Sequence, residues 1–433
     1  MNTDMTAHAH NNWTRNLIIF LAAQTISLFG TSIVQYAVMW HVTLETRSGA
    51  MMMIYIICGF LPTFFLTPFA GVWADRCSRK AIIMLSDSFI ALATLLLALF
   101  FLSGRASVWM LFIFVVLRAI GTGIQTPAIG AILPDIVPED RLTRANAFNA
   151  SIQSFIMLVS PMASAALLAV TTIERIFFID VATAAVAVLA LLFFLKVPPR
   201  RQAEGRPAAG YFADLRDGWR YIAAQGYLKR FFLFVALFLF LAAPASFLTP
   251  LQVVRSFGGG EWHLMAIEIA FSVGMMAGGG ILAAWGGFRN RVHTMTLASL
   301  LFGLMTLLFG ILSNFWLYLG AMAIAGVSMP FFNTPATVLL QEKVQAAFLG
   351  RVFGVMGMIS SSVMPVGMLV FGPVADAVKI EWLLIVTGVL LFALSFMLVG
   401  SRPLVEAGEA KASPSSLSSP SSPPRPDSPS AGE

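Results

Sequence analysis

The feature that most constrains this chain is a succession of long apolar runs that carry almost no charge. Bounded by charged residues or Pro/Gly breaks, twelve such runs cover roughly 16–41, 50–74, 81–102, 107–130, 147–170, 175–196, 230–254, 262–285, 293–312, 315–339, 352–376 and 382–400. A helix of about 20 apolar residues crosses the hydrocarbon core of a bilayer while satisfying its own backbone hydrogen bonds. The runs are continuously apolar rather than alternating, which excludes a transmembrane β-barrel. Only 11% of the 433 residues are charged and 58% are hydrophobic. A soluble domain carries about 25% charged residues, so this chain cannot cover a water-soluble globule of its size. The same balance excludes disorder over most of the length. The first run is too long for a signal peptide and no small-residue cleavage pattern follows it, so it is expected to be a retained span. Two cysteines, Cys58 and Cys77, cannot supply a disulfide framework.

The positions of Lys and Arg orient the spans. With the N-terminus placed inside, the inner segments hold Arg15, the cluster Arg76, Arg79 and Lys80, the pair Arg141 and Arg144, and a run of cations from Lys196 to Arg230. Of 27 Lys and Arg, only Arg47, Arg105, Arg175, Arg255 and Lys379 fall outside, and only Arg118 lies within a span. Cations accumulate on the cytoplasmic side of membrane proteins, so both termini are expected in the cytoplasm. The net charge of +6 therefore reports topology. The partner it implies is the lipid bilayer, not nucleic acid.

The longest polar connection, 197–229, falls between spans six and seven and divides the chain. A cytoplasmic tail over 1–15 precedes a six-helix bundle over 16–196, and a second bundle over 230–400 follows the linker. The stretch 212–221 (FADLRDGWRY) is patterned as a short amphipathic helix at the inner surface. The tail over 401–433 becomes Ser/Pro-rich and is expected to be disordered. The halves echo each other. Thr126-Pro127-Ala128 in span four returns as Thr334-Pro335-Ala336 in span ten, and Trp73 through Arg79 returns as Trp285 through Arg291. Pro161 in span five has Pro365 in span eleven. The nearly constant offset indicates a duplicated six-helix unit, and six spans per unit make the repeats parallel about an axis normal to the membrane.

Gly71-Val72-Trp73-Ala74-Asp75-Arg76-Cys77-Ser78-Arg79-Lys80, after span two, resembles the signature loop G-x-L-A-D-R-x-G-R-K of the major facilitator superfamily. Trp73 and Ser78 depart from the usual Leu and Gly. Arg118 through Gly123 resembles a second motif of that family's drug antiporters, and Ser160-Pro161-Met162-Ala163-Ser164-Ala165 loosely resembles a third. Gln24 through Gln35, Gly59-Phe60-Leu61-Pro62, Arg118 through Ala128, Ile179-Asp180-Val181 and Leu349 through Phe353 resemble the macrolide-efflux branch of the drug:proton antiporters. The resemblance covers the chain from about Asn12 to about Val399. It implies an all-α membrane protein, with twelve transmembrane helices in two pseudo-symmetric six-helix bundles. It implies secondary efflux of a small hydrophobic drug, most simply a macrolide antibiotic, in exchange for protons by alternating access in the bacterial cytoplasmic (inner) membrane. Antibiotic resistance would follow. Gly71, Asp75, Arg76, Arg79 and Lys80 would form the gating loop, where Gly71 permits close helix approach and Asp75 can pair with a helix N-terminus or a nearby Arg.

Charges at bilayer depth are costly and are functional candidates by default. Arg118 stands mid-span, and its repeat counterpart is Gly326, so the charge belongs to the first half alone. It is expected to tune a carboxylate or to position a proton carrier. A carboxyl group shielded from water can load and release protons near neutral pH, which makes Asp180 and Glu268 candidates for proton coupling or for pairing with a cationic substrate. A structural hydrogen-bonding role is the competing expectation for both. Asp87 is expected to be a structural partner of the Arg-rich loop after span two. Gln24, Ser27, Thr31 and Gln35 share one face of span one, and that face is expected to line the substrate cavity between the halves. The alternative is helix–helix hydrogen bonding.

No G-x-x-x-x-G-K-[ST] loop occurs, so ATP could drive export only through an ATP-binding accessory protein, which the sequence does not identify. No H-E-x-x-H or G-x-S-x-G occurs either. The chain is expected to be no enzyme and to need no cofactor beyond the proton gradient. His8 and His10 alone make no metal site. Two other readings stand beside macrolide export: efflux of another antibiotic class or a siderophore, and a membrane sensor that does not transport.

Overall fold

A computed structural model of the chain describes residues 13–105, 107–138, 141–197 and 211–409. The tails expected over 1–15 and 401–433 therefore lie largely outside the described residues, as do His8 and His10. Among the described residues, twelve helical segments are long and apolar enough to cross a membrane. The first six are α1 (Trp13–Thr46), α2 (Gly49–Arg76), α3 (Arg79–Leu102), α4 (Val108–Ile136), α5 (Leu142–Val170) and α6 (Ile173–Phe194). The linker contributes α7 (Tyr211–Ala224). The seventh span is α8 (Gly226–Phe247) continued by α9 (Thr249–Ser256). The remaining five are α10 (Glu261–Trp285), α11 (Arg291–Ile311), α12 (Phe315–Lys343), α13 (Ala346–Ala377) and α14 (Ile380–Gly400), with a short α15 (Arg402–Gly408) after them. An even number of spans puts both described chain ends at one end of the molecule, called here the inner end, and the opposite end is called the outer one.

Most helices run past the apolar runs that announce them. Ends set by charge in the sequence fall at the headgroup level, where a helix continues as long as its terminal groups are capped. Ser48, Ser78, Asn290 and Asn314 each accept a backbone N–H at a helix start, and α10 ends on Gly286 at φ 78. The seventh span breaks at Leu248, just after Pro244 and before Pro250.

The helix pairing makes the repeat physical. In the first half α1 packs on α5 and α6, α4 on α2 and α3, and α3 on α6. In the second half α8 packs on α13 and α14, α12 on α10 and α11, and α11 on α14. Each pair in one bundle thus has its counterpart in the other. The bundles meet through α2 against α13 and α5 against α10, which are also exchanged by the pseudo-twofold. Large apolar side chains such as Leu85, Leu92, Ile113, Phe193 and Phe396 stay exposed, a surface that only lipid covers. Trp109, Trp262, Trp316 and Trp382 stand exposed at the outer starts of four spans, an aromatic belt at the interface. Against the inner end of α13 lies α7: Tyr221 stacks on Phe348 at 4.4 Å, and an added Cβ on Gly218 would sit 3.0 Å from the Arg351 carbonyl oxygen.

Candidate functional site

The first bundle buries an ion pair at bilayer depth. Arg118 of α4 donates to Asp180 Oδ2 of α6 at 2.5 Å, with Asp180 fully buried and Arg118 nearly so. Thr31 of α1 donates to Asp180 Oδ1 at 3.0 Å and Thr94 of α3 to Oδ2 at 2.9 Å. The second arm of Arg118 donates to the Thr31 carbonyl at 3.2 Å, and its first also reaches Thr94 Oγ1. Four helices converge on one carboxylate, and every charge is met by a charge or a hydrogen bond. Gly30 lets α6 approach, since an added Cβ there would run into Thr183.

A second buried layer lies inward of this pair. Asp87 of α3 accepts at Oδ1 from Ser27 of α1 at 2.8 Å and from Gln125 of α4 at 2.7 Å. The expectation that Asp87 partners the Arg-rich loop is therefore corrected. Eight residues of helix separate it from Arg79, roughly 12 Å at 1.5 Å per residue, and Arg79 finds its acid elsewhere. The stripe on α1 also divides. Thr31 and Gln35 line the cavity, whereas Ser27 turns to Asp87 and Gln24 is buried with neither amide atom hydrogen-bonded within the described residues. Hydrogen bonding between helices, the alternative reading, thus describes Ser27. A face about 100° wide suffices for both destinations.

The cavity itself measures about 390 Å³, within the range of small-molecule sites. Its wall comes from α1, α2, α3 and α4, including Gln35, Tyr36, Tyr55, Phe60, Phe114 and Arg118, with Phe247 of α8 closing it from the other bundle. The lining is apolar and aromatic with few polar groups, and the guanidinium that holds Asp180 is one of them. Glu268 stands apart from this pair. It is half-buried on α10, in electrostatic range of the Tyr36 phenol, and among the described residues no hydrogen bond or ion pair reaches it.

The loop expected to gate is anchored at its second half. Arg79 donates through Nε to the Ala74 carbonyl at 3.2 Å and pairs with Asp135 at 2.9 Å. Lys80 donates to the carbonyls of Leu192 and Leu195 at 3.1 and 2.8 Å, covering the C-terminus of α6. Arg76 is exposed, and the Asp75 side chain lies outside the described residues. No close approach occurs at Gly71, where a Cβ would meet nothing within 4 Å. The repeat of Arg79 is Arg291, and it pairs with Glu342 at the inner end of α12 as Arg79 does with Asp135 at the inner end of α4.

Two groups of residues escaped the sequence reading. At the outer end Asp376 of α13 accepts from the backbone of Gly49 at 2.7 Å and Ala50 at 2.9 Å, from Ser48 Oγ at 2.7 Å and from Arg255 at 2.5 Å. Arg255 also donates to the Arg47 carbonyl. Toward the inner end Thr126, Gln153, Ser154, Asn333, Thr337 and Ser361 are exposed within spans. Polar side chains at that depth face water rather than lipid, so the molecule is latched at its outer end and open at its inner end.

A family model described as Major Facilitator Superfamily matches residues 18–368. The chain belongs to the major facilitator superfamily. This superfamily member is 30% identical over 390 residues to macrolide efflux protein A of Streptococcus pyogenes, covering 90% of this chain and 96% of that protein. It is 32% identical over 322 residues to macrolide efflux protein A of Enterococcus faecalis, covering 74% of this chain and 99% of that protein. Among solved structures, a bacterial homologue of the human lysosomal transporter Spinster, inward-facing and unoccupied, shares the fold at a TM-score of 0.67 and 16% identity, covering 92% of this chain and 99% of that one. The chain is thus a multi-pass membrane transporter of the superfamily, not an enzyme.

Proposed function

We propose that this transporter expels hydrophobic drugs, macrolides foremost, from the cytoplasm in exchange for protons. The observation that carries the reading is the buried Arg118–Asp180 pair at the wall of the aromatic cavity. A proton on Asp180 removes the charge that holds Arg118, and Arg118 is itself part of the cavity surface. Protonation and occupancy of the cavity are thereby linked through one side chain, which is what antiport requires. Glu268, near Tyr36 across the bundle interface, supplies a negative charge for the amine of a cationic drug. The substrate class is supported by the macrolide efflux relatives and by a lining of aromatic and aliphatic side chains. The inner side carries the cationic connections and is the cytoplasmic side; the bilayer is the bacterial cytoplasmic membrane.

The test is a panel of drug susceptibilities in a pump-deficient bacterium expressing the chain, with and without a protonophore. Macrolide tolerance that rises with expression and collapses with the protonophore is the expected result. Tolerance confined to other drugs, or siderophore export alone, would replace the substrate, and protonophore-insensitive export would remove proton coupling.

A further inference from the structure

Asp87 is used by none of the steps above, and its setting is unusual for a carboxylate. It is 2% exposed, no cation contacts it, and its Oδ2 has no hydrogen-bond partner among the described residues. Among the described residues only neutral donors reach it, the Ser27 hydroxyl and the Gln125 amide, both on Oδ1. Three cations of the surrounding helices are committed elsewhere. On α4 and α6, Arg118 is bound to Asp180. On α3, Arg79 is held by Asp135, and Lys80 by the carbonyls that end α6. An uncompensated carboxylate in so dry a place is costly, and a carboxyl group avoids the cost by keeping its proton.

Asp87 also has a position. The same three helices supply both layers: Thr31, Thr94 and Arg118 around Asp180, and Ser27, Gln125 and Asp87 itself one to two turns further inward. At 1.5 Å per residue the layers are roughly 6–10 Å apart. Gln24 follows another turn inward on α1, buried, with its amide oxygen and nitrogen unpartnered. The buried polar groups thus form a ladder from the ion pair toward the inner side.

We propose that Asp87 is a second proton-binding carboxylate of the first bundle, standing between Asp180 and the inner side. It holds a proton on Oδ2 while the Arg118–Asp180 pair is closed. A proton arriving on Asp180 from the outer side opens that pair, and the freed guanidinium favours the anionic form of Asp87, which releases its proton inward near Gln24. Transfer of the proton from Asp180 to Asp87 then restores the pair. One proton enters and one leaves, and only O–H bonds change. The inference rests on the antiport reading, but its first observable does not.

That observable is the carbonyl stretch of a protonated carboxyl group, read by infrared difference spectroscopy of the purified full chain without drug, in a Glu268→Gln background that removes another acid within the spans that no cation pairs with among the described residues. Asp87→Asn keeps the oxygen that accepts from Ser27 and Gln125, so it preserves the local fold. The expected result is loss of a carbonyl band in Asp87→Asn, its retention in Asp180→Asn, and a shift of the same band in Ser27→Ala. A band that survives Asp87→Asn, or none in the Glu268→Gln parent, overturns the proposal. In proteoliposomes with Glu268 intact, Asp87→Asn should lose uphill export of a macrolide while retaining its downhill movement. Uphill export at the parental rate overturns the relay. Export by the parent that ignores the pH gradient overturns antiport instead, with the infrared result still standing.

Discussion

A guanidinium at bilayer depth is costly unless paired and hydrogen-bonded, and Arg118 has both kinds of compensation, from Asp180 and from Thr31 and Thr94. Arg118→Lys keeps the charge but cannot span Asp180 and the Thr31 carbonyl together. Drug export should fall sharply with the protein still present in the membrane, measured by susceptibility alongside an immunoblot; unimpaired export would refute the coupling role. Asp180→Asn leaves the guanidinium uncompensated, and breaking a buried pair from one side costs about 3–5 kcal/mol, so its thermal midpoint in detergent should drop as well. At this scale the sequence is informative about which residues matter. Charge inside an apolar run singles out Arg118, Asp180, Asp87 and Glu268 without any fold. It does not show that Arg118 meets Asp180 while Glu268 stays unpaired, because partners lie on helices 62 residues apart in sequence. Nor can periodicity tell that Ser27 leaves the cavity face: a polar residue serves a neighbouring helix or water equally well.

The same asymmetry has a cause one level up. The repeat places Gly326 where the first half has Arg118, and an added Cβ at Gly326 would run into the Phe271 carbonyl of α10 and lie 3.0 Å from the Met275 nitrogen. Gly274 makes the reciprocal approach to Ala323. Here α10 and α12 pack backbone to backbone, the small-residue contact typical of membrane helices, and no guanidinium could fit. Gly326→Ala should therefore cost about 1–3 kcal/mol through overpacking. Gly320 on the same helix meets nothing within 4 Å, so Gly320→Ala should be neutral or stabilising by the usual helix preference of about 1 kcal/mol. Thermal midpoints of the two variants check the sign; equal midpoints would refute the close-packing account. The duplicated unit was legible from Thr-Pro-Ala and the prolines. The matched pairs Arg79–Asp135 and Arg291–Glu342 were legible only on their basic side, where the repeated loops align; their acids end a different helix.

Alternating access requires that the closure at one face be weak enough to open. The outer closure is concentrated on Asp376, which neutralises Arg255 and occupies the N-terminus of α2 through Ser48, Gly49 and Ala50. Nothing in the sequence marks Asp376 as special, since it sits at the end of a span where a solvated charge is ordinary. Its role appears only when α13 and α2 are brought together across the pseudo-twofold. Both members of the ion pair are about 30% exposed, so the pair is worth at most about 1 kcal/mol, and a carboxylate at a helix N-terminus adds about 0.3–1 kcal/mol. Removing the charge thus shifts the balance between outer-closed and outer-open forms by about 1–2 kcal/mol, a factor of about 5–30. Asp376→Asn should therefore raise the rate at which a membrane-impermeant thiol reagent added outside labels Gln35→Cys in the cavity, in a Cys58→Ser, Cys77→Ser background. Labelling of the same cysteine from the inner side should fall, because one population gains what the other loses. Arg255→Gln should act in the same direction, and the double variant should do little more than either alone, since the two substitutions remove one shared interaction. Outer labelling unchanged in both single variants would mean that the apolar contact of Gly49, Met53 and Gly372, not the ion pair, holds the outer face shut.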